Sequence, residues 1–335
     1  MFDLRNKTPF AAALLPSLDK EGVDQISVLV KATYRLTSGK PLEIAEKQVP
    51  VHFADVHAGD PETTSVRYQS DSCPTKPGTD VVLIGKAYPS AKRAPVVVVS
   101  LRVAHLRKVV RVFGDRLWTR ALGWVMSPAL PFEEMPLVYE RAFGGWDRSH
   151  PDPKQHAADE RNPVGTGFAA ANRNERLEGL RLPNLEDPGQ CIDHWRSHPP
   201  VAGFGFLGRG WLPRRLLAGT YDAAWSEERA PLLPKDFDDR YHNGAPNDLV
   251  ATPHLRGGET VQVQGASRQG ILTFALPAPR LEMVLSVRRE IVTPKSVLDT
   301  VIIEPDDERV VLSFRATVAC PRLLTHVEVA SVKLR

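Results

Sequence analysis

The sequence predicts a mainly β protein: antiparallel β-sandwich or open-barrel elements, a large loop-rich insertion of glycine, proline and tryptophan, and few short helices. Three observations lead there. Apolar and polar residues alternate in several runs near both ends of the chain, the period of two that belongs to strands. Proline and glycine supply 29 and 23 of the 335 residues without a fixed period. Proline breaks helix interiors, so an all-helical bundle is excluded. Hydrophobic residues at 42% and charged residues at 25% are those of an ordinary globular chain, which sets aside disorder, collagen and coiled-coil rods.

Residues 1–125 read as an N-terminal antiparallel β region. The stretch Pro9 to Pro16, behind Arg5 and Lys7, is apolar but short and lacks a small-residue cleavage site, so it is not read as a secretory signal. Ile26 to Leu36 is β-branched, partly alternating, and ends at the turn pair Ser38-Gly39. Val81 to Gly85 is a short apolar run. Val96 to Val103 and Leu106 to Phe113 form two strands joined around Ala104-His105, with Val97, Val99, Leu101 and Val103 on one face. Gly114-Asp115 then turns the chain before Leu117-Trp118.

Residues 126–257 form the loop-rich region, packed on the same β scaffold. Neither period persists there, apart from a short helix expected at Ala169 to Leu177. Five of the six tryptophans, all but Trp118, fall between 124 and 225. Disordered segments are poor in aromatics, so the region reads as ordered loops pinned by ring packing and side-chain-to-backbone hydrogen bonds.

Residues 258–335 form a C-terminal β region. Thr260–Val263 and Ile271–Leu276 flank a polar hairpin loop, and Leu281, Met283, Leu285 and Val287 alternate with mostly polar neighbours. Val297–Ile303 and Val310–Val318 enclose the turn Glu304 to Glu308, and Thr325–Leu334 gives a last strand.

Composition also limits function. A net charge of +3 gives no strong field, so nucleic acid is not an implied partner, and the basic pairs Arg214-Arg215 and Arg288-Arg289 read as solvated faces. No apolar run approaches the ~18–20 residues of a membrane helix. Three cysteines, Cys73, Cys191 and Cys320, are few and far apart, which fits a reducing compartment and a cytoplasmic protein.

Motifs of catalysis are sparse. No phosphate-binding loop occurs, and Gly203-Phe-Gly-Phe-Leu-Gly208 has dinucleotide-loop spacing without the strand-helix context, so it reads as a loop packed through Phe204 and Phe206. Cys191, His194 and His198 are the one cluster of soft ligands, short of the four a structural zinc takes; they read as surface histidines and a half-buried thiol. Asp236-Phe-Asp-Asp239 offers hard oxygen ligands but reads more simply as capping aspartates. Asp147 and Asp222, near Arg141 and Tyr221, are candidates for buried ion pairs holding the loops. No G-x-S-x-G elbow is present, and Cys73 lies in a turn without an adjacent base.

A series of blocks carries a resemblance. Lys76-Pro-Gly-Thr-Asp80, Gly114-Asp-Arg-Leu-Trp118 and Pro136-Leu-Val-Tyr-Glu-Arg-Ala-Phe-Gly-Gly145 come first. Asn162-Pro-Val-Gly-Thr-Gly167, Leu182-Pro-Asn-Leu-Glu-Asp187 and Gly203-Phe-Gly205 follow. Ala218-Gly-Thr-Tyr-Asp-Ala-Ala-Trp225, Leu233-Pro-Lys-Asp-Phe-Asp238 and Ala245-Pro-Asn-Asp248 complete the set. Over about residues 1–276 the chain resembles domain-of-unknown-function family 2169, with Phe206 standing where the pattern would have proline.

The resemblance implies a cytoplasmic, non-enzymatic adaptor or chaperone of the bacterial type VI secretion system. Such a protein binds a secreted effector toxin and helps load it onto the VgrG–PAAR spike, with no cofactor, metal, nucleic acid or membrane. No catalytic residue is carried over. The binding candidates on the family-like blocks are Glu140, Arg141, Gly144, Gly145, Asn162, Gly165, Trp211, Tyr221, Asp222, Trp225, Asp236 and Asp238. Of these, Glu140, Arg141, Asp222 and Asp236 are expected to form a polar network, structural or interfacial. The residues leave two alternatives: a metal-dependent hydrolase using the Asp/His-rich middle region, or a carbohydrate-binding module stacking sugars on Trp211 or Trp225.

Overall fold

The computed structural model describes residues 3–170, 177–287, 290–320 and 327–335. The first region contributes β1 (Asp3–Lys7), β2 (Ala11–Leu18), β3 (Asp24–Arg35), β4 (Glu43–Ile44), β5 (Thr79–Leu83), β6 (Val96–Val103) and β7 (Leu106–Phe113). The loop-rich region adds β8 (Leu185–Glu186) and β9 (Val250–Ala251) to the larger sheets. The C-terminal region supplies β10 (Thr260–Gln264), β11 (Leu272–Ala275), β12 (Leu281–Val287), β13 (Glu290–Val292), β14 (Val297–Glu304), β15 (Arg309–Ala319) and β16 (Val327–Leu334).

The largest sheet runs β9-β5-β14-β15-β3-β2, with β4 also paired to β3. A second runs β8-β7-β6-β10-β11 and a third β1-β16-β12-β13; none closes into a barrel. Strands from the outer regions therefore share sheets, and β8 and β9 tie the loop-rich region to two of them. Buried residues of all three sheets, among them Val28, Leu101 and Leu285, belong to one contiguous core.

The protein is mainly β, as the alternation predicted. The hairpin of β6 and β7 runs in register from Val103 opposite Leu106 to Val96 opposite Phe113, with Ala104 turning at a φ of +49°. Val99, Leu101 and Val103 fill the core. Pairing is mostly antiparallel, but β1 runs parallel to β16 and β5 parallel to β14. The apolar stretch before Pro16 becomes edge strand β2, where Pro16 needs no ladder donor.

Among the described residues the one α-helix is α1 (Ala223–Glu228), joined by a few 3-10 turns. The helix expected at 169–177 falls largely outside the described residues, as does the pair Arg288-Arg289. No helix of the described residues is long and apolar enough to cross a membrane.

Strand β3 departs from its pattern. Its odd-numbered residues include Ser27, Lys31 and Thr33, which alternation assigns to a solvated face, yet all three are buried. Lys31 stands opposite Ser313, Ser313 opposite Thr300, and Thr300 opposite Asp80. Partners on neighbouring strands share a face, so a polar row crosses four strands of the sheet.

Residues 69–78 and 242–245 cover this face and satisfy it. Lys31 Nζ donates to Asp71 Oδ2 at 2.9 Å. Arg315 donates to Asp299 Oδ2 at 2.7 Å and to the backbone oxygens of Cys73 and Asp71 at 2.6 and 2.8 Å. Lys76 Nζ donates to Asp80 Oδ2 and Thr300 Oγ1, each at 2.8 Å. Asp80 also accepts from Asn243 Nδ2 and the Gly244 amide, both at 2.9 Å.

Burial opposes the charge on Lys76, but the carboxylates of Asp80 and Asp299 outweigh it and hold the ammonium above its ordinary pKa. Burial likewise opposes the Asp299 carboxylate, and Arg315 and Lys76 pull it below the usual range. Burial raises the Cys73 thiol, which favours the neutral, unreactive form.

His242 sits at the edge of this layer with neither ring nitrogen bonded to protein. Burial first, then the cations Arg209, Lys76, Arg214 and Arg315, depress its pKa from 6.5 to about 4.

Two outcomes follow. Asp80→Ala leaves a buried ammonium unpaired and should cost about 3–5 kcal/mol in urea denaturation, whereas Arg35→Ala, at the exposed pair with Glu43, should cost at most about 1 kcal/mol. Because the unfolded state takes up the His242 proton first, its contribution is complete above pH 6.5 and is lost as pH falls towards 4. The urea midpoint should therefore drop between pH 7 and 4.5 by more in the native protein than in His242→Gln.

Candidate functional site

Four of the candidate residues form one interlock. Asn162 is fully buried and donates Nδ2 to the carbonyls of Tyr139 at 2.8 Å and Phe143 at 3.1 Å. Its own carbonyl accepts from the Gly145 and Gly165 amides at 2.8 and 3.1 Å. Gly144 and Gly145 take φ values of +145° and +97°. A Cβ would lie 2.2 Å from the Asn162 oxygen at Gly144, 2.3 Å from the Gly165 oxygen at Gly145, and 2.4 Å from Asn162 Nδ2 at Gly165. Only glycine permits so close a crossing of backbones.

The neighbouring side chains staple this interlock to the scaffold. The Glu140 carboxylate accepts from the Ser65 amide and hydroxyl, each at 2.8 Å. The Arg141 guanidinium bridges Asp115 at 3.2 Å and Asn184 at 3.0 Å. Trp211 meets Tyr139 edge-on with ring centres 5.5 Å apart. Tyr139 in turn donates its hydroxyl to the Gly205 carbonyl at 3.0 Å, and Phe204 and Phe206 of that loop are buried.

The remaining candidates lie in a separate lobe around α1. Asp222 caps the helix, accepting from the Trp225 amide at 2.8 Å, and Tyr221 packs edge-on against Trp225 at 4.7 Å. The Trp225 indole donates to the Leu232 carbonyl at 2.9 Å. Asp236 accepts from the Thr220 amide at 3.0 Å and hydroxyl at 2.7 Å, bonds that hold its carboxyl below the usual range. Asp238 accepts from the side chain and amide of Arg240 and is depressed likewise.

The polar network expected of Glu140, Arg141, Asp222 and Asp236 is therefore divided, each carboxylate or guanidinium securing its own loop. Asp222 stands exposed at its helix cap instead of in a buried ion pair. Buried Asp147 accepts from Ser149 and from the Ala170 amide.

Among the described residues no group of three or more His, Cys, Asp or Glu is placed to hold a metal ion. The Cys191 thiol lies 3.4 Å from the Asp187 carbonyl, His194 packs on Trp195, and His198 meets Phe143 edge-on.

A cleft lies beside these loops, and one of its residues departs from its sequence reading. It has a volume of about 800 Å³ and apolar walls that include Val201, Leu207, Leu212, Leu217 and Val250. Four cationic residues line it, Lys108, Arg161, Arg214 and Arg240, against the single carboxylate Asp248. Lys108 pairs with Asp248 at 2.8 Å, Arg161 with Asp159 at 2.5 Å, and Arg240 with Asp238 at 2.6 Å.

Arg214 differs from the other three. It is only 4% exposed, contrary to the solvated face expected of Arg214-Arg215. Its Nε and Nη1 donate to the carbonyls of Tyr241 at 2.9 Å and Leu207 at 2.6 Å, while Nη2 has no partner. No described carboxylate pairs with it. Burial lowers its pKa from the ordinary arginine value, with Asp80 acting the other way. The dipeptide gave no sign that one arginine turns inward.

Comparison with curated proteins and with solved structures gives no match. Residues 21–315 match domain-of-unknown-function family 2169, described as an uncharacterized protein conserved in bacteria. That span includes all of the interlock, the α1 lobe and the cleft, and on it the chain belongs to this family.

Proposed function

We propose that the protein is a non-enzymatic adaptor or chaperone that binds a type VI secretion effector in the cytoplasm and helps load it onto the VgrG–PAAR spike. The observation that carries this reading is the loop layer. A long segment with little regular structure is fastened by buried side-chain-to-backbone bonds, so it presents a fixed surface with little ordering left to pay on association.

That surface offers anchors of the kind that dominate protein interfaces. Trp146 is 50% and Tyr221 53% exposed. Arg148 lies over the Trp146 ring at 5.1 Å. The type VI partners themselves come from the resemblance of the ordered sequence blocks.

Co-expression with the effector encoded beside this protein should raise the soluble yield of that effector and give a complex that co-elutes in size-exclusion chromatography. Trp146→Ala combined with Tyr221→Ala should weaken the complex at least about tenfold while the free protein still unfolds in a single cooperative transition. An effector whose solubility and secretion do not change when this protein is deleted would remove the reading.

A further inference from the structure

We infer that the cleft around Arg214 takes an apolar segment of a partner polypeptide that carries a carboxylate, an aspartate or glutamate among large aliphatic or aromatic residues. This rests on the adaptor reading and deepens it by naming the chemistry of the segment held.

Charge complementarity carries the inference. Four cationic residues line the cleft against one carboxylate, and three of the four already have acidic partners. Arg214 has none. Backbone carbonyls satisfy part of its hydrogen bonding but leave its Nη2 unbonded, and the attraction of Asp80 and Asp55 does not outweigh the cost of its burial. A guanidinium removed from water without a paired counter-charge is costly, and a carboxylate delivered by a ligand offsets that cost through a charge-assisted contact.

The rest of the cleft fits an apolar chain rather than a polar one. Val201, Leu207 and Leu217 line its walls, and its volume of about 800 Å³ falls within the range of sites that enclose a short segment. Arg240, with its side chain 70% exposed, stands at the rim, where it steers an acidic segment inward. Latching two loops explains the carbonyl contacts of Arg214 but not the choice of a charged side chain with a vacant donor.

The test is calorimetric titration of the full chain with a pentapeptide of two leucines and two phenylalanines around a central aspartate, and with its asparagine counterpart. The aspartate peptide should bind at least about tenfold more tightly, and the preference should vanish in Arg214→Gln. Arg240→Glu, at an exposed position, should weaken the aspartate peptide several-fold at low salt and much less at high salt. It keeps the test decisive if Arg214→Gln does not fold.

Equal affinity for the two peptides, or no binding of either at millimolar concentration, overturns the inference. Binding of decanoate with none of the aspartate peptide overturns the polypeptide occupant. The titration contains no effector, so failure of the adaptor reading in co-expression is distinguishable from failure at the cleft.

Discussion

The carboxylate of Asp80 joins the largest sheet, the segment that covers it and the loop-rich region at a single buried point. It projects from β5, next to the edge strand β9 of the largest sheet, accepts from Lys76 in the segment covering that sheet, and accepts from Asn243, Gly244 and Ala245 in the loop-rich region. Both oxygens are used, so moving any one part unbinds the other two. Such a contact specifies position more than it adds net stability, because desolvation of the charges offsets much of their attraction. Lys31 with Asp71 and Arg315 with Asp299 repeat the arrangement along the same face. A sheet with one charged face can accept only a cover whose charges match.

The same economy governs the loops. Asn162 and three glycines replace a hydrophobic core where backbones cross too closely for side chains. A second, small cluster of Trp118, Phe143, Leu177, Leu182 and Ile192 then packs beside it. Order without regular secondary structure requires each backbone group to find a partner, and side-chain amides and carboxylates supply them. This is why so many family-like residues are small or polar.

Periodicity made the strands legible. The hairpin of β6 and β7 was readable to its ends because apolar residues alternate and a short turn separates the runs. What lies on the far side of a strand is a different matter. Ser27, Lys31 and Thr33 give the same alternation whether the polar face meets water or a covering segment, and only the fold distinguishes the two. The parallel pairing of β5 with β14 joins residues too distant in sequence for a local signal. At the site, the blocks that hold the glycines and Asn162 are legible in the sequence, but the close backbone crossing they form is not. Arg214 reads as solvated because the neighbouring arginine conceals its inward orientation.

The polar row across the largest sheet also sets the order in which the chain can fold. Ser27 on β3 bonds Thr317 on β15, 290 residues away. During synthesis β3 therefore emerges with the edge that β15 later pairs still open, and it stays so until almost the whole chain has followed. Contacts of such separation slow folding and lengthen exposure of unpaired edges. A polar, hydrated face makes the waiting strand less prone to stick to another copy than an apolar one would be. The buried charges thus protect the nascent chain before they organise the finished one.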